Sequence, residues 1–211
     1  MKAKLGGLGM IKRAETDHPI NDLTARRWSP YCFSKNKVSN EDLCSLFEAA
    51  RWAASSYNEQ PWNYIVARQE ENEEFERLVS CLVEANQRWA ASAPVLALGI
   101  ASLNFSRNNK PNRAAVHDLG AAGANLALEA TAHGLYVHQM IGILPDKARE
   151  LYAIPEAYEP MTAIAIGYLG DPEGFPQQLQ ERDADRRPRK PLEEFVFRQK
   201  WGNRWDLFAK R

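Results

Sequence analysis

The chain has 211 residues, a length that suits one compact domain, and 45% of them are apolar while 26% are charged. Its 27 basic and 27 acidic side chains cancel, which argues against a broadly basic nucleic-acid-binding protein. We find no apolar run long enough to span a membrane and no apolar core typical of a secretory signal. The three cysteines form no CxxC pair, so we expect a reduced, cytoplasmic protein. From the charge balance and the lack of an apolar span, we expect it to bind neither nucleic acid nor a membrane.

The first predicted element is a helix over residues 39–54, and a short buried strand over 63–67 follows it. Ser39 stands three residues before Asp42, a spacing typical of a capping box. The hinge between helix and strand, "SSYNEQP" at 55–61, is crowded with polar side chains. Such side chains usually cap a helix or shape a turn. Four of them beside a tryptophan favour a ligand, because carboxamides match the donor–acceptor edge of a flavin or pyrimidine ring.

A second helix is predicted over 71–83, and the unbroken apolar run at 94–102 is typical of an interior strand. The polar stretch at 103–113 is rich in turn formers, and we expect a mobile loop there. The longest helical pattern covers 113–133, with Gly134 placed as its left-handed C-cap.

This long helix contains a stretch almost bare of side chains, "GAAGA" at 120–124. Small residues allow another helix to approach closely, so the helix is a candidate central or dimer-interface element. A short helix from Pro145 to about Ala153 and a core strand over 161–170 are predicted next. The alternation of helices and strands indicates an α/β or α+β domain.

Two basic clusters and one glycine-bearing segment could contact a ligand. Guanidinium groups at 26–27 and at 186–189 suit phosphate oxygens, although a solvated surface is the simpler interpretation of the second cluster alone. Within "VHQMIGIL" at 137–144, Gly142 permits close backbone approach to a ligand or merely turns the chain. After residue 194 the chain carries three phenylalanines and two tryptophans, and we expect this tail to pack on its own subunit or on a partner.

Other chemistries lack a supporting motif. Neither "GGLG" nor "GAAG" has the spacing of a phosphate-binding loop. No G-x-S-x-G elbow is present, which argues against a serine hydrolase. The histidines at 117, 133 and 138 show no metal-ligand spacing, so we expect no metal site.

Several stretches resemble the motifs of nitroreductase-like FMN-dependent oxidoreductases. "RRWSPYCF" at 26–33 and "AARWAASSYNEQPWNYIV" at 49–66 resemble the opening motifs, and "HDLGAAGANLALEATAHGL" and "IAIGYLG" resemble later ones. The resemblance covers roughly residues 20–195, and its S-S-x-N-x-Q-P-W segment is the most specific part. It implies an α+β fold, a three-layer α/β/α sandwich around a mostly antiparallel sheet. It also implies an intertwined homodimer with FMN at the subunit interface.

The resemblance suggests a division of the chain into three parts. These are an N-terminal extension (1–20), an FMN-binding domain (21–195) and a C-terminal arm (196–211) that packs on its own or the partner subunit.

The resemblance also implies a set of cofactor-binding residues. At the phosphate and ribityl chain they are Arg27, Trp28, Ser29, Arg187 and Arg189. From the other subunit they are Ser55, Ser56, Asn58 and Gln60. Near the flavin ring they are Asn86 and the segment with Gln139, Met140 and Gly142, whose backbone N–H groups would approach N5.

Two residues depart from the family pattern. Tyr31 stands where the family usually carries Arg or Lys, and Ala54 replaces a usual proline. We therefore expect weaker FMN binding than is usual for the family, with Arg26 as a possible substitute for the lost cation.

The expected function is an FMN-dependent oxidoreductase with NADH or NADPH as electron donor. It would reduce nitroaromatics, quinones or similar small unsaturated acceptors by ping-pong hydride transfer, with no catalytic acid, base or nucleophile assigned. The alternative is a flavin-binding protein without turnover, for storage, sensing or assembly. A narrower reductive task would need a lid over the site, for which the loop at 102–113 is the candidate.

Overall fold

A four-stranded antiparallel sheet with helices on both faces forms the fold of the computed structural model, which describes residues 12–185 and 188–208. The helices in this part of the chain are α1 (Asp22–Arg26), α2 (Asn40–Arg51), α3 (Asn72–Ser80), α4 (Glu84–Ala90), α5 (Ala115–Ala132), α6 (Pro145–Leu151) and α7 (Gln177–Ala184). The strands are β1 (Trp62–Arg68), β2 (Val95–Ser102), β3 (Tyr136–Met140) and β4 (Tyr158–Gly167). Within the described residues, no helix is both long and apolar enough to cross a membrane.

The strand order is β1-β2-β4-β3, so β1 and β3 form the two edges of the sheet. In the interior strand β2, Leu96 and Leu98 belong to the core on one face, and Val95 and Ala97 belong to the core on the other. Burial on both faces explains the unbroken apolar run of this segment. The strand predicted over 94–102 is confirmed.

The two cores lie between the sheet and two separate layers of helices. On one face, Leu46 of α2 and Leu126 of α5 are fully buried in one cluster. On the other face, Leu78 of α3, Trp89 of α4 and Ala148 of α6 are buried in a second cluster. This arrangement confirms the predicted α+β fold with three layers and an antiparallel sheet.

Two predicted helix boundaries are confirmed by their capping geometry. The Ser39 side chain accepts a hydrogen bond from the Asp42 backbone N–H at 2.9 Å, at the start of α2. Gly134 follows α5 with a φ of 72°, the left-handed conformation that glycine adopts without a steric penalty.

The helix predicted over 71–83 is confirmed as α3, but it ends three residues early at Ser80, and the separate helix α4 that follows was not predicted. Between them Leu82 forms a β-bridge with Ile143, and the Val83 backbone N–H donates to the Gly142 carbonyl at 3.0 Å. This tertiary pairing interrupts the helical pattern. The strand β3 was not predicted either, since its segment was interpreted by its glycine alone.

The C-terminal arm folds mainly on itself in the described chain. Phe197 pairs with Arg204 in a β-bridge, and the rings of Phe197 and Trp201 lie 5.1 Å apart. Trp201 remains 93% exposed and Phe195 56% exposed. Packing of the arm on a partner subunit stays a prediction, and residues 1–11 of the N-terminal extension lie outside the described chain.

Candidate functional site

Two arginines from distant parts of the sequence lie near enough for their charges to repel each other. Arg27 is the C-cap residue of α1 and is half-buried, and its guanidinium donates to the Ser29 hydroxyl oxygen at 3.4 Å. The pKa of Arg27 is lowered, first by burial and then by repulsion from Arg189. Two cations held together in this way suit a doubly charged anion such as a phosphate. Arg187, the other late arginine predicted for this site, lies outside the described residues.

Trp28 adds a hydrogen-bond donor at the same place. Its indole Nε1 is buried and has no hydrogen-bond partner among the described residues. An unpaired buried donor costs about 1–3 kcal/mol, which favours a ligand acceptor at this position. The edge of its ring contacts Tyr136 at the start of β3, with centroids 5.7 Å apart.

A buried carboxylate fixes the chain that carries these groups. Asp183, which is 4% exposed, accepts hydrogen bonds from the backbone N–H groups of Tyr31 at 2.9 Å and Cys32 at 3.0 Å. Burial, and then the Asp183 charge, raise the pKa of the Cys32 thiol to about 12, so this thiol stays protonated at neutral pH. Sequence reasoning missed Asp183, because nothing distinguishes it from the other charges between residues 181 and 190.

Tyr31, which stands where the family usually carries Arg or Lys, packs against an aromatic ring and lies close to another arginine. The ring of Tyr31 packs edge-on against Trp89, with centroids 5.1 Å apart, and the Arg182 guanidinium lies 5.3 Å from its centroid. Arg26 is engaged elsewhere, because its Nε donates to an Asp22 carboxylate oxygen at 2.6 Å. Weaker cofactor binding remains a prediction.

The segment after β3 is held in place through the carbonyl of Gly142. This oxygen accepts hydrogen bonds from the Val83 backbone N–H and from the Asn86 side-chain amide, both at 3.0 Å. A Cβ atom on Gly142 would lie 2.4 Å from Asn86 Nδ2, so a larger residue here would displace the Asn86 amide from this hydrogen bond. Asn86, expected near a flavin ring, therefore has at least one role in the protein itself, which is to fix the orientation of this peptide group.

Two neighbouring residues turn their side chains toward the protein. The Gln139 side-chain amide donates to the Gly123 carbonyl of α5 at 3.1 Å. Met140 is 7% exposed and belongs to the core, whereas Ile141 is 85% exposed. The side chains of Gln139 and Met140 are thus engaged within the protein, and the approach of this segment's backbone N–H groups to a flavin stays a prediction.

The hinge between α2 and β1 is fixed by two hydrogen bonds from its backbone. The Ser56 backbone N–H donates to the buried Asp118 carboxylate at 2.9 Å. The Gln60 backbone N–H donates to the Ser55 hydroxyl oxygen at 3.1 Å. The first contact holds the hinge against the start of α5, and the second closes the hinge on itself.

The hinge backbone is strained at three residues. Tyr57, Asn58 and Gln60 have φ values of 55°, 56° and 53°, in the left-handed region that residues other than glycine seldom adopt. Each such residue costs on the order of 1–3 kcal/mol, and such strain clusters at functional sites. The side chains of Asn58 and Gln60 are exposed.

In one chain, the predicted cofactor-binding residues form two groups, which we call the ligand groups, at opposite edges of the sheet. The segment with Arg27 and Trp28 lies beside β3, since Pro30 accepts a hydrogen bond from His138 at 2.8 Å, and the segment with Gly142 follows β3 directly. The hinge precedes β1 at the other edge. Three strand spacings, roughly 14 Å, separate the two edges.

Comparisons with known proteins find one family model and several similar proteins. The model of the Nitroreductase family matches residues 24–168. A solved structure described as "the oxidoreductase containing FMN" is 31% identical with a TM-score of 0.85, covering 94% of this chain and 100% of that chain.

Two relatives are similar in sequence. A protein of Archaeoglobus fulgidus named "Putative NADH dehydrogenase/NAD(P)H nitroreductase" is 27% identical over 174 residues, covering 80% of this chain and 91% of its own length. The "Major NAD(P)H-flavin oxidoreductase" of Aliivibrio fischeri is 52% identical over 50 residues, which is 23% of each chain.

Proposed function

Because this chain belongs to the nitroreductase family, we propose that it is an FMN-dependent oxidoreductase that uses NADH or NADPH to reduce nitroaromatics, quinones or similar unsaturated acceptors. The names of its relatives support a flavin and a nicotinamide donor. The similarity to an FMN-containing oxidoreductase over nearly the whole chain supports FMN as the flavin.

The observation that carries the proposal is the half-buried guanidinium of Arg27, which Arg189 is near enough to repel, next in sequence to Trp28, whose buried indole N–H has no partner among the described residues. Two guanidinium groups and one further donor fit a terminal phosphate group, which distinguishes FMN from a flavin without phosphate. The Ser29 hydroxyl, next to Arg27, supplies another polar contact.

The remaining groups fit the other parts of this cofactor. The exposed carboxamides of Asn58 and Gln60 can pair with the donor–acceptor edge of the flavin ring. Bound FMN would accept a hydride from the nicotinamide and then deliver two electrons to the acceptor. The protein's own contribution would be to bind the flavin and to orient it. Asn86 and Val83 serve this role by fixing the Gly142 segment through hydrogen bonds to its carbonyl.

The position of the two ligand groups at opposite edges supports a homodimer. The hinge of one subunit would complete the site formed by the β3 edge of its partner. The exposed small residues of α5, including Gly120 and Ala124, would let a second copy of that helix approach closely.

The first experiment is a visible spectrum of the purified protein after addition of FMN and removal of excess flavin, followed by anaerobic NADH and then NADPH. We expect about one FMN per chain and loss of its long-wavelength absorbance with at least one nucleotide. Turnover with a nitroaromatic or a quinone would then identify the acceptor class.

The alternative outcomes are distinct. A stoichiometric flavin that neither nucleotide reduces would contradict the reductase and favour binding without turnover. A protein that retains no FMN would contradict the cofactor assignment itself.

A further inference from the structure

The hinge and the loop after β2 meet in a group of three partly or fully exposed side chains. The ring of Tyr57 is 74% exposed and contacts the ring of Phe105 edge-on, with centroids 5.8 Å apart. The Arg107 guanidinium lies 4.2 Å from the centroid of Tyr57 and 5.3 Å from that of Phe105. We name these three residues the Tyr57–Phe105–Arg107 cluster.

The loop that carries Arg107 is tied to the hinge. It is a hairpin closed by an isolated β-bridge between Asn104 and Pro111, and the predicted mobility of this loop stays a prediction. Its Ser106 backbone N–H donates to the Glu59 carboxylate of the hinge at 2.6 Å. The loop therefore positions Arg107 relative to the hinge through a charge-assisted hydrogen bond as well as through ring contacts.

Tyr57 occupies a costly conformation without gaining burial. A bulky residue at a φ of 55° is an outlier that costs on the order of 1–3 kcal/mol. Its ring is nevertheless left mostly in solvent, so core packing does not explain the conformation. The strain places the ring under Arg107.

Arg107 carries a charge that no acidic group of residues 12–185 and 188–208 neutralises through an ion pair. By contrast, Arg77 and Arg88 are paired with glutamates on their own helices. A guanidinium stacked on a ring has one face covered, but its edge donors stay available for a bidentate contact with a carboxylate or phosphate. The cluster is thus a cation held in a fixed orientation.

The cluster lies beside the proposed cofactor contacts, since Tyr57 stands between Ser56 and Asn58. We propose that Arg107 binds an anionic group of the second substrate, either a phosphate of the dinucleotide or a carboxylate of the acceptor. This inference rests on the proposed function. Tyr57 and Phe105 orient the guanidinium and offer an apolar surface to a planar ring.

The test compares ligand pairs that differ in one anionic group. On FMN-loaded protein, the steady-state KM values for NADPH and NADH are compared, because these nucleotides differ by one phosphate. The Kd values for benzoate and benzamide, measured by calorimetry without turnover, show the effect of the carboxylate. We expect Arg107→Gln to weaken the anionic member of one pair about tenfold relative to the neutral or less charged member. An equal rise of KM for both nucleotides would also support the proposal and identify the pyrophosphate as the group bound.

Two further variants separate the guanidinium from general charge and from loop damage. Arg107→Lys keeps the charge without the planar fork, and we expect it to restore only part of the affinity. Lys110→Gln removes an exposed cation of the same loop that makes no ring contact with the described residues, and we expect ratios of NADPH to NADH KM and of benzoate to benzamide Kd within about twofold of the wild type.

Three results would overturn the assignment. Unchanged KM and Kd values for Arg107→Gln in protein that binds FMN and turns over normally would refute the role of Arg107 alone. Equal effects of Arg107→Gln and Lys110→Gln would replace it with general electrostatic attraction. A wild-type protein that neither retains FMN nor oxidises a nucleotide would overturn both this inference and the proposed function.

Discussion

At the scale of single residues, the proposed phosphate site brings together two groups of like charge. Burial first, and then repulsion from Arg189, lower the pKa of the Arg27 guanidinium. A bound anion relieves this repulsion. Part of the binding energy therefore comes from two positive charges whose proximity destabilises the protein when no anion is bound.

We predict that Arg27→Ala and Arg189→Ala each raise the Kd for FMN about tenfold or more. Each removes a charge-assisted hydrogen bond to phosphate, worth about 1.5–3 kcal/mol. Quenching of FMN fluorescence on titration with protein measures the Kd. Riboflavin, which lacks the phosphate, should bind the variants and the wild type equally.

The matched control is Arg26→Ala, one residue away. Arg26 is paired with Asp22, so its removal should leave the Kd for FMN within about twofold of the wild type. The assignment fails if Arg26→Ala weakens FMN binding as much as Arg27→Ala does.

The sequence supports some of these residues better than others. The hinge residues and Arg27 stand in recognisable motifs, whereas Asp183 acts through two backbone N–H groups and carries no motif of its own. The roles of Asn86 and Gln139 within the protein could not be predicted, because their partners are backbone carbonyls distant in sequence.

At the scale of elements, the start of α2 is tied to the end of α5 by a hydrogen-bonded group of ionisable side chains. His133 contacts the Asp42 carboxylate at 2.7 Å through Nδ1 and the Glu129 carboxylate at 3.1 Å through Nε2. Asp42, more than any other group, raises the pKa of His133, and His133 lowers that of Asp42. The Tyr168 hydroxyl also faces Asp42, at 3.5 Å.

We predict that His133→Gln lowers the free energy of unfolding by about 0.5 kcal/mol near pH 5.5 and by less near pH 9. Because the pKa of His133 is higher in the folded than in the unfolded state, its stabilisation of the fold is complete below the unfolded-state pKa of about 6.5. This contribution is lost as the pH rises through the folded-state pKa. The lowered pKa of Asp42 adds stability that is lost as the pH falls through its folded value. The stabilisation is therefore greatest in mildly acidic solution.

Urea unfolding at both pH values measures this difference. A double-mutant cycle with Asp42→Asn isolates the contact from other effects of each substitution. An equal loss of stability at the two pH values would show that His133 acts through packing instead of charge.

The predicted elements succeeded where the pattern was long and local. The 18-residue α5 and the buried β2 follow directly from apolar spacing. The break between α3 and α4 could not be seen, because it arises from pairing of Leu82 with Ile143. The same pairing fixes the segment that includes Gly142, so the missed element is the one closest to the proposed chemistry.

At the scale of the whole molecule, the two groups of predicted cofactor-binding residues lie at opposite edges of the sheet of one chain. We predict a dimer of twice the 23.9 kDa chain mass, in which each site draws on both subunits.

Mixed dimers test this directly. One variant carries Arg27→Ala and Arg189→Ala; the other carries Asn58→Gly and Gln60→Gly, because glycine retains the positive φ of the hinge. Neither homodimer should retain FMN. Equal amounts refolded together should recover about a quarter of the sites, since half of the dimers then contain one intact site each.

Recovery of no FMN in the mixture, with both variants folded and dimeric, would mean that each chain builds its own site. Sedimentation velocity and circular dichroism provide these two controls.

The link between Asp183 and the backbone of Tyr31 also constrains when the protein can mature. The two residues are 152 positions apart, so the link forms only after most of the chain has left the ribosome. Until then the Arg27 segment lacks both its carboxylate anchor and its partner Arg189. Loading of FMN is therefore expected to follow completion of synthesis, and nascent chains truncated before residue 183 should not compete for the cell's free flavin.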